Sequence, residues 1–256
     1  MADRLRVRVL RVVGAAYGDL ARVLQAMPRL VAIVVLIVLV RALVEQILPD
    51  GATVVGQLAG LALGAVEAFL LTPFFIAVHR FIILEEMTRR YVLDANDPRF
   101  FRFFVWSLTF TVIGTSMALL QNVMQAVRLP VHIMIVVDVA VGVVVSIIGL
   151  RLTVLFPAIA VDARGATASN AFADTRGNAF RILVTFAVAY LPLVALGFAL
   201  TPWGPGGARA LPPVAHVILS VLYAAALPLF IAIASRIFQA LADQVVGRPT
   251  AGVVPT

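Results

Sequence analysis

The sequence contains no cysteine and no lysine, and charged residues of both signs are scarce. Only 13% of the 256 residues are charged, 62% are hydrophobic, and the mean hydropathy is +1.05. Without cysteine the protein has no disulfide, no thiolate nucleophile and no cysteine-ligated metal. Because a soluble domain is about half apolar and about a quarter charged, this composition predicts an integral membrane protein.

Several catalytic motifs are also missing from the sequence. It has no glycine-rich phosphate loop, no HExxH helix of a zinc protease and no nucleophile elbow. The sequence therefore offers no candidate catalytic residue, no cofactor and no metal site, and it does not indicate an enzyme.

All 20 basic residues are arginine, and with 13 acidic residues the formal net charge is +7. Two explanations of the missing lysine stay open: a GC-rich genome, or selection of arginine for bidentate phosphate binding. The charge does not predict a nucleic-acid partner, because its distribution fits a membrane topology. Sixteen arginines fall at one face of the predicted bundle, and only Arg128 and Arg209 fall at the other. Because arginine in short loops marks the cytoplasm, we expect both termini there, with the basic face against anionic lipid headgroups.

Six apolar stretches predict an all-α membrane domain over residues 29–242. A span needs about 20 mostly apolar residues. The candidate spans are residues 30–48, 52–78, 97–127, 131–161, 180–200 and 214–241. At the start of the third, Asp97 can cap a helix and Pro98 fits its first position.

Two terminal segments flank this domain. Residues 1–28 carry arginines interleaved with apolar residues, which predicts a cytoplasmic amphipathic helix lying on the membrane surface. Residues 243–256 are predicted to be a flexible cytoplasmic tail.

A short pattern recurs at the ends of the second, fourth and sixth stretches. Pro73, Pro157 and Pro228 are each followed within a few residues by Ile-Ala and then by a charged residue. The pattern indicates three repeated helical hairpins with interfacial segments on the cytoplasmic side. Those segments are residues 1–27, 85–96 and 163–176, the second being predicted as a short helix with glutamate–arginine pairs. The alternative is that proline, alanine and isoleucine are simply common in membrane helices.

Five charged residues fall inside the predicted spans: Arg41, Glu45, Glu67, Asp138 and Arg151. Charges are costly in a membrane and mark a functional site by default. At about 1.5 Å of rise per residue, Arg41, Glu67 and Arg151 lie roughly 16–18 Å from the basic face, near the middle of a core about 30 Å thick. Glu45 and Asp138 lie further towards the other face. We therefore predict that Glu67 pairs with Arg151 or with Arg41.

Two roles stay open for this intramembrane charge cluster. A buried ion pair can fix the packing and register of helices, or the charges can bind a proton or a polar solute for transport. Beside Glu67, the residues Gly56, Gly60, Gly64 and Ala68 form a stripe of small side chains that allows helices to approach closely.

Two groups of residues at the basic face are predicted to meet the membrane surface. His79, Arg80 and Arg164 follow the ends of spans, where we expect contacts with lipid headgroups. An aromatic belt is expected where the third span begins. Its members are Phe100, Phe101, Phe103, Phe104 and Trp106.

Two segments resemble uncharacterised six-helix bacterial inner-membrane proteins. They are AVHRFIILE at residues 77–85 and the stretch from Arg151 that ends in FPAIAVD at residue 162. More distantly, the layout is similar to the membrane domain of some bacterial glycerophosphodiester phosphodiesterases. The resemblance implies a multi-pass inner-membrane protein without an assigned activity. It supplies no catalytic residue, because the phosphodiesterase domain has no counterpart in this sequence.

Three functions are compatible with these observations. The sequence favours an interaction or organising protein of the membrane, because basic amphipathic segments lie on one face; its partner would be another membrane protein or a second copy. The alternative is a small transporter or channel with Arg41, Glu67 and Arg151 as its site. A lipid-handling protein is the second alternative.

Overall fold

The computed structural model describes residues 7–49, 51, 53–201, 203–204, 207–208 and 213–247, most of them helical. The helices are α1 (Val9–Ala26), α2 (Pro28–Glu45), α3 (Val54–Leu84), α4 (Pro98–Ala126), α5 (Val131–Leu152), α6 (Leu155–Ala160), α7 (Ala168–Asp174), α8 (Ala179–Leu200) and α9 (Pro213–Leu241). Between α8 and α9, the two-residue strands β1 (Trp203–Gly204) and β2 (Gly207–Ala208) pair in antiparallel fashion.

Within the described residues, five helical segments are long and apolar enough to cross a bilayer, as expected of a helical membrane protein. They are α3, α4, the α5–α6 stretch Val131–Ala160, α8, and Val217–Leu241 of α9. The first predicted span corresponds to α2, which carries three charged residues in 18. α1 and α2 together could form a sixth span, but they meet at an angle of 97°. The all-helical membrane class is therefore confirmed, and the sixth span stays a prediction.

Proline and short polar side chains set several helix starts. Pro28 and Pro98 lie in the first turns of α2 and α4, where no helical bond is lost with the missing N–H. The Asp97 carboxylate accepts a hydrogen bond from Arg99 N at 2.8 Å, which confirms the predicted cap. The Thr53 hydroxyl accepts a similar bond at the start of α3.

The core lies where the three proline-containing segments meet. The segments after Pro73 in α3, around Pro157 in α6 and after Pro228 in α9 pack against one another. Their buried residues include Ala77, Val78, Ala158, Ile159, Ala160, Ile231, Ala232 and Ile233. The pattern seen in the sequence thus marks core positions. The segments between these motifs differ in local structure, and the threefold repeat stays a prediction.

α1 packs along the bundle through one face. Val12, Ala16 and Val23 are buried, and the helix contacts α8 and α9. The buried Asp19 carboxylate accepts hydrogen bonds from Arg236 of α9 at 2.6 and 2.7 Å. A helix is therefore present from residue 9 within the predicted N-terminal segment, of which residues 1–6 lie outside the described range. Its contact with a membrane surface stays a prediction.

Residues 85–97 are not helical, so the predicted short helix and its glutamate–arginine pairs are wrong. Glu85 has a φ of 59°, in the left-handed region, and ends α3. Glu86 accepts a hydrogen bond from Arg80 Nε at 2.8 Å instead. The Tyr91 hydroxyl donates to the carbonyl of Leu70, and burial raises the pKa of this phenol. Through these contacts residues 85–97 fold back and lie against α3.

The first part of the predicted flexible tail is docked onto the protein. The Asp174 carboxylate, at the end of α7, accepts hydrogen bonds from the backbone N–H groups of Asp243, Gln244 and Val245 at 2.9–3.1 Å. Val245 is buried, and its carbonyl accepts from Gly165 N. The predicted tail is therefore wrong for residues 243–247, and residues 248–256 lie outside the described range.

Candidate functional site

A cavity of about 790 Å³ lies between the long helices. Residues of α2, α3, α4, α5, α6, α8 and α9 line it. Its volume falls within the roughly 300–1,000 Å³ of small-molecule sites. Its wall is mainly apolar and carries one ion pair, which makes the cavity the leading candidate for a binding site.

Arg41 of α2 and Glu67 of α3 form this ion pair. Arg41 Nη1 lies 2.9 Å from Glu67 Oε2, and Arg41 Nη2 lies 2.7 Å from Glu45 Oε1, one helical turn further along α2. The Glu67 side chain is 11% exposed, whereas that of Glu45 is 49% exposed. The predicted pairing of Glu67 is therefore confirmed for Arg41.

The pair leaves hydrogen-bonding capacity unused. Arg41 Nε and Glu67 Oε1 are buried and have no hydrogen-bond partner among the described residues. A buried polar atom without a partner costs about 1–3 kcal/mol.

Small residues of α3 create the space beside the pair. Gly60, Gly64 and Ala68 line the cavity with Glu67. A Cβ at Gly64 would lie 2.8 Å from Thr111 Cγ2 of α4, so this glycine permits close packing of the two helices. A Cβ at Gly60 would meet no atom within 4 Å. The predicted stripe therefore brings helices together at one position and leaves open volume at another.

Hydroxyl groups of α4 form a polar strip along the cavity. Ser107, Thr111 and Thr115 line it at four-residue spacing. Each hydroxyl donates to the backbone carbonyl four residues earlier at 3.1 Å. Because the donor hydrogen is used, each oxygen offers only its lone pairs to a ligand.

Phenylalanine rings pack at the end of the cavity near the core. The Phe103 ring centroid lies 5.0 Å from that of Phe156 and 6.1 Å from that of Phe75. Phe110 packs on Phe156 at 5.8 Å. Phe103 is buried, and so is Phe100 at the start of α4, so the predicted belt at the membrane surface is wrong for these two residues. The ring neighbours of Phe103 come from α3 and α6, which residue spacing within α4 does not reveal.

His79 lies in the protein interior, and its predicted contact with lipid headgroups is wrong. The residue is 2% exposed, and its Nδ1 lies 2.8 Å from Ser235 Oγ of α9. The ring also lines the cavity. Packing of α9 against α3 removes this histidine from the surface, although it lies next to Arg80 in sequence.

Arg80 and Arg164 lie nearer the surface. Arg80 donates to the carbonyl of Ala160 at 3.0 Å and pairs with Glu86 and Asp162. Arg164 is exposed in the loop before α7. Headgroup contact stays a prediction for both arginines.

Arg151 is not part of the central cluster, so its predicted pairing with Glu67 is wrong. Its Nη2 donates to the carbonyl of Phe172 at 2.6 Å, and its guanidinium lies 4.7 Å from the centroid of the Phe172 ring. The Thr175 hydroxyl is also 3.1 Å from the carbonyl oxygen of Arg151. The segment containing α7 folds back onto the end of α5, which a depth count along one helix cannot anticipate.

Asp138, the last of the predicted intramembrane charges, lies in α5 and does not line the cavity. It is partly exposed and forms no ion pair with any residue that the structure describes. The central cluster therefore consists of Arg41, Glu45 and Glu67.

A second cavity, of about 230 Å³, shares Arg41 and Tyr223 with the first. Glu45 lines the smaller cavity and Glu67 lines the larger one. Arg41 therefore stands between two spaces with a carboxylate on each side. Tyr223 was not predicted, because a single tyrosine in an apolar stretch does not reveal which helix it faces.

Comparisons of the chain with protein-family models, curated proteins and solved structures find no match. The resemblance to six-helix inner-membrane proteins therefore stays a prediction, and function is argued from the cavity.

Proposed function

We propose that the protein binds a small amphipathic molecule in its central cavity as the binding step of membrane transport. The observation that carries this proposal is a cavity of about 790 Å³ with the Arg41–Glu67 ion pair on a mainly apolar wall. Small-molecule sites typically combine an apolar lining with a few convergent polar groups. An amphipathic ligand would place its polar group at the pair and its apolar part against the phenylalanine rings.

A packing role alone does not account for the geometry of the pair. A structural ion pair is most stable when it is enclosed and its remaining hydrogen bonds are satisfied. Here both partners line the cavity, and each has one buried atom without a partner among the described residues. Gly60 lies on the same wall and leaves the nearby volume open.

The position of Arg41 between two cavities supports transport over static binding. Its guanidinium bridges Glu67, in the larger cavity, and Glu45, in the smaller one. A change in the Arg41 rotamer that broke its contact with one glutamate would leave the contact with the other intact. Such a change would alter the barrier between the two cavities. A ligand that competes for Glu67 would promote such a change.

The proposal includes the orientation expected from the sequence: a bacterial inner membrane, with the basic end in the cytoplasm against anionic lipids. Basic residues of separate elements meet at this end, where Asp162 pairs with Arg99 at 2.7 Å and with Arg80 at 3.6 Å. Arg29 and Arg89 line a cavity of about 390 Å³ near the α1–α2 bend. Two arginines beside apolar side chains suit the phosphate of a lipid headgroup.

Native mass spectrometry of the gently extracted protein tests the binding proposal. We expect the wild-type protein to retain a solute or lipid, and Gly114→Leu to lose it, because Gly114 lines the cavity and has room for a side chain. Gly142→Leu is the matched control. Gly142 also lies within a long helix, and a Cβ added there would meet no atom within 4 Å, but it does not line the cavity.

Loss of the retained mass from Gly114→Leu alone would support the cavity as the binding site. A wild-type protein without any retained molecule, or equal retention by both variants, would contradict it. A stoichiometric second protein in place of a small molecule would favour the interaction function that the sequence suggested.

A further inference from the structure

The charged cluster at the cavity is negative overall. Arg41 supplies one positive charge, and Glu67 and Glu45 supply two negative charges at 2.9 and 2.7 Å from it. Among the described residues, the larger cavity is lined by no other arginine, aspartate or glutamate. The formal charges of the three side chains sum to −1, with Glu45 on the side of the smaller cavity. An anionic ligand would be repelled by this cluster, whereas a cationic one would neutralise it.

The polar strip of α4 hydroxyl groups also favours a cationic ligand. The oxygens of Ser107, Thr111 and Thr115 have their hydrogens committed to backbone carbonyls. They therefore present the negative ends of their dipoles to the cavity. This arrangement stabilises a positive group or a hydrogen-bond donor, and it offers nothing to a carboxylate or a phosphate.

Aromatic rings form much of the remaining wall. The face of a phenyl ring attracts a cation through its quadrupole, and the attraction grows when water is excluded. The phenylalanines that line the cavity are Phe75, Phe103, Phe110, Phe156, Phe186 and Phe230. Three independent features of the wall thus point to the same ligand charge.

We infer that the cavity selects lipophilic organic cations, with the cationic centre near Glu67 and the apolar body among the phenylalanine rings. This inference rests on the proposed function and names its substrate class. The cation competes with Arg41 for the Glu67 carboxylate, which couples binding to the position of the residue that separates the two cavities.

Tetraphenylphosphonium and tetraphenylborate provide the test, because they have nearly the same shape and opposite charge. Binding of each is measured by isothermal titration calorimetry on the full chain in a non-ionic detergent. The same titration on Gly114→Leu gives the contribution of the micelle and of other sites, which is subtracted. We expect saturable cavity binding of the cation, with an affinity at least about tenfold above that of the anion.

Two charge variants separate charge selection from a structural effect. Glu67→Gln brings the cluster to neutrality and should weaken binding of the cation about tenfold. Arg41→Gln removes the positive charge that competes with the ligand for Glu67 and should tighten binding of the cation. Disruption of a merely structural pair would instead weaken binding in both variants. If Glu67→Gln does not fold, Glu45→Gln removes the same charge at a half-exposed position.

Equal cavity binding of the two probes, absence of cavity binding of the cation, or equal weakening by Glu67→Gln and Arg41→Gln would overturn the inference. These outcomes are distinct from a failure of the proposed function. If native mass spectrometry shows a molecule that Gly114→Leu loses, while the probes show no charge preference, the binding function stands and the cationic substrate class does not.

Discussion

Asp19 shows how a single residue can attach one helix to the rest of the protein. Its side chain is 1% exposed, and both carboxylate oxygens accept hydrogen bonds from Arg236 of α9. Arg22, one turn along α1, also pairs with it but is half exposed. A buried carboxylate is stable only while its partners are in place, so the contact with Arg236 attaches α1 to α9, in addition to the apolar packing of Val12, Ala16 and Val23.

We predict that Asp19→Ala lowers the free energy of unfolding by about 3 kcal/mol, because it breaks a buried ion pair. Arg22→Ala is the matched variant and should cost less than about 1 kcal/mol, because its partner charge is compensated by Arg236 and its own side chain is solvated. Denaturant unfolding in detergent, followed by circular dichroism, measures both. Equal losses from the two variants would contradict the assigned role of Asp19.

Single residues also show what the sequence could and could not predict of the candidate site. The pairing of Glu67 with Arg41 was predictable because both residues lie on long helices at a similar distance from the basic face. The distance counted along one helix gave the wrong partner for Arg151, which contacts the α7 segment. Its position beside Arg80 in the chain likewise gave the wrong environment for His79, whose burial depends on α9. Contacts between distant segments decide both cases, and no local pattern encodes them.

Among the elements, α3 and α4 are brought together by a missing side chain. A Cβ at Gly64 would lie 2.8 Å from Thr111 Cγ2. The threonine cannot easily turn this methyl away, because β-branched side chains in a helix have few allowed rotamers. The helices must therefore separate, or α4 must shift, if residue 64 gains a Cβ.

We predict that Gly64→Ala destabilises the protein by about 1 kcal/mol, because overpacking outweighs the better helix propensity of alanine. Gly60→Ala is the control, since it has no atom within 4 Å and should be neutral or slightly stabilising. The double variant Gly64→Ala/Thr111→Ser removes the methyl group and should recover the lost stability. Thermal unfolding of the three variants in one detergent checks this, and failure of the second substitution to rescue would show that the strain lies elsewhere.

The elements that the sequence predicted well are those with strong local determinants. Pro28, Pro98 and the Asp97 cap set helix starts that could be read directly. Residues 85–97 were missed because the Tyr91–Leu70 bond and the left-handed Glu85 override the helical spacing of the glutamates and arginines. The docked residues 243–247 were missed because the Asp174 carboxylate that binds them lies some 70 residues earlier.

On the scale of the whole molecule, the uneven distribution of arginine and the position of the cavity depend on different features of the sequence. The arginines distinguish one end of the bundle from the other, which bears on orientation. The cavity depends on where small and aromatic residues of different helices meet, and sequence spacing could indicate only the α3 part of it. This is why the helical membrane class could be predicted from composition, whereas the candidate binding site required the assembled structure.

The absence of cysteine gives a direct test of the proposed orientation, because one introduced thiol is the only thiol in the protein. Arg128→Cys places it between α4 and α5, and Arg164→Cys places it between α6 and α7. Both positions are exposed in the structure, and both substitutions remove one arginine. In intact spheroplasts a membrane-impermeant maleimide should label Arg128→Cys at once and Arg164→Cys only after permeabilisation, because arginine-rich loops stay in the cytoplasm. The reverse labelling would invert the topology, and the anionic headgroup contacts proposed for Arg29 and Arg89 would then lie in the outer leaflet. Labelling of both thiols in intact spheroplasts would contradict the assignment of the two loops to opposite sides of the membrane.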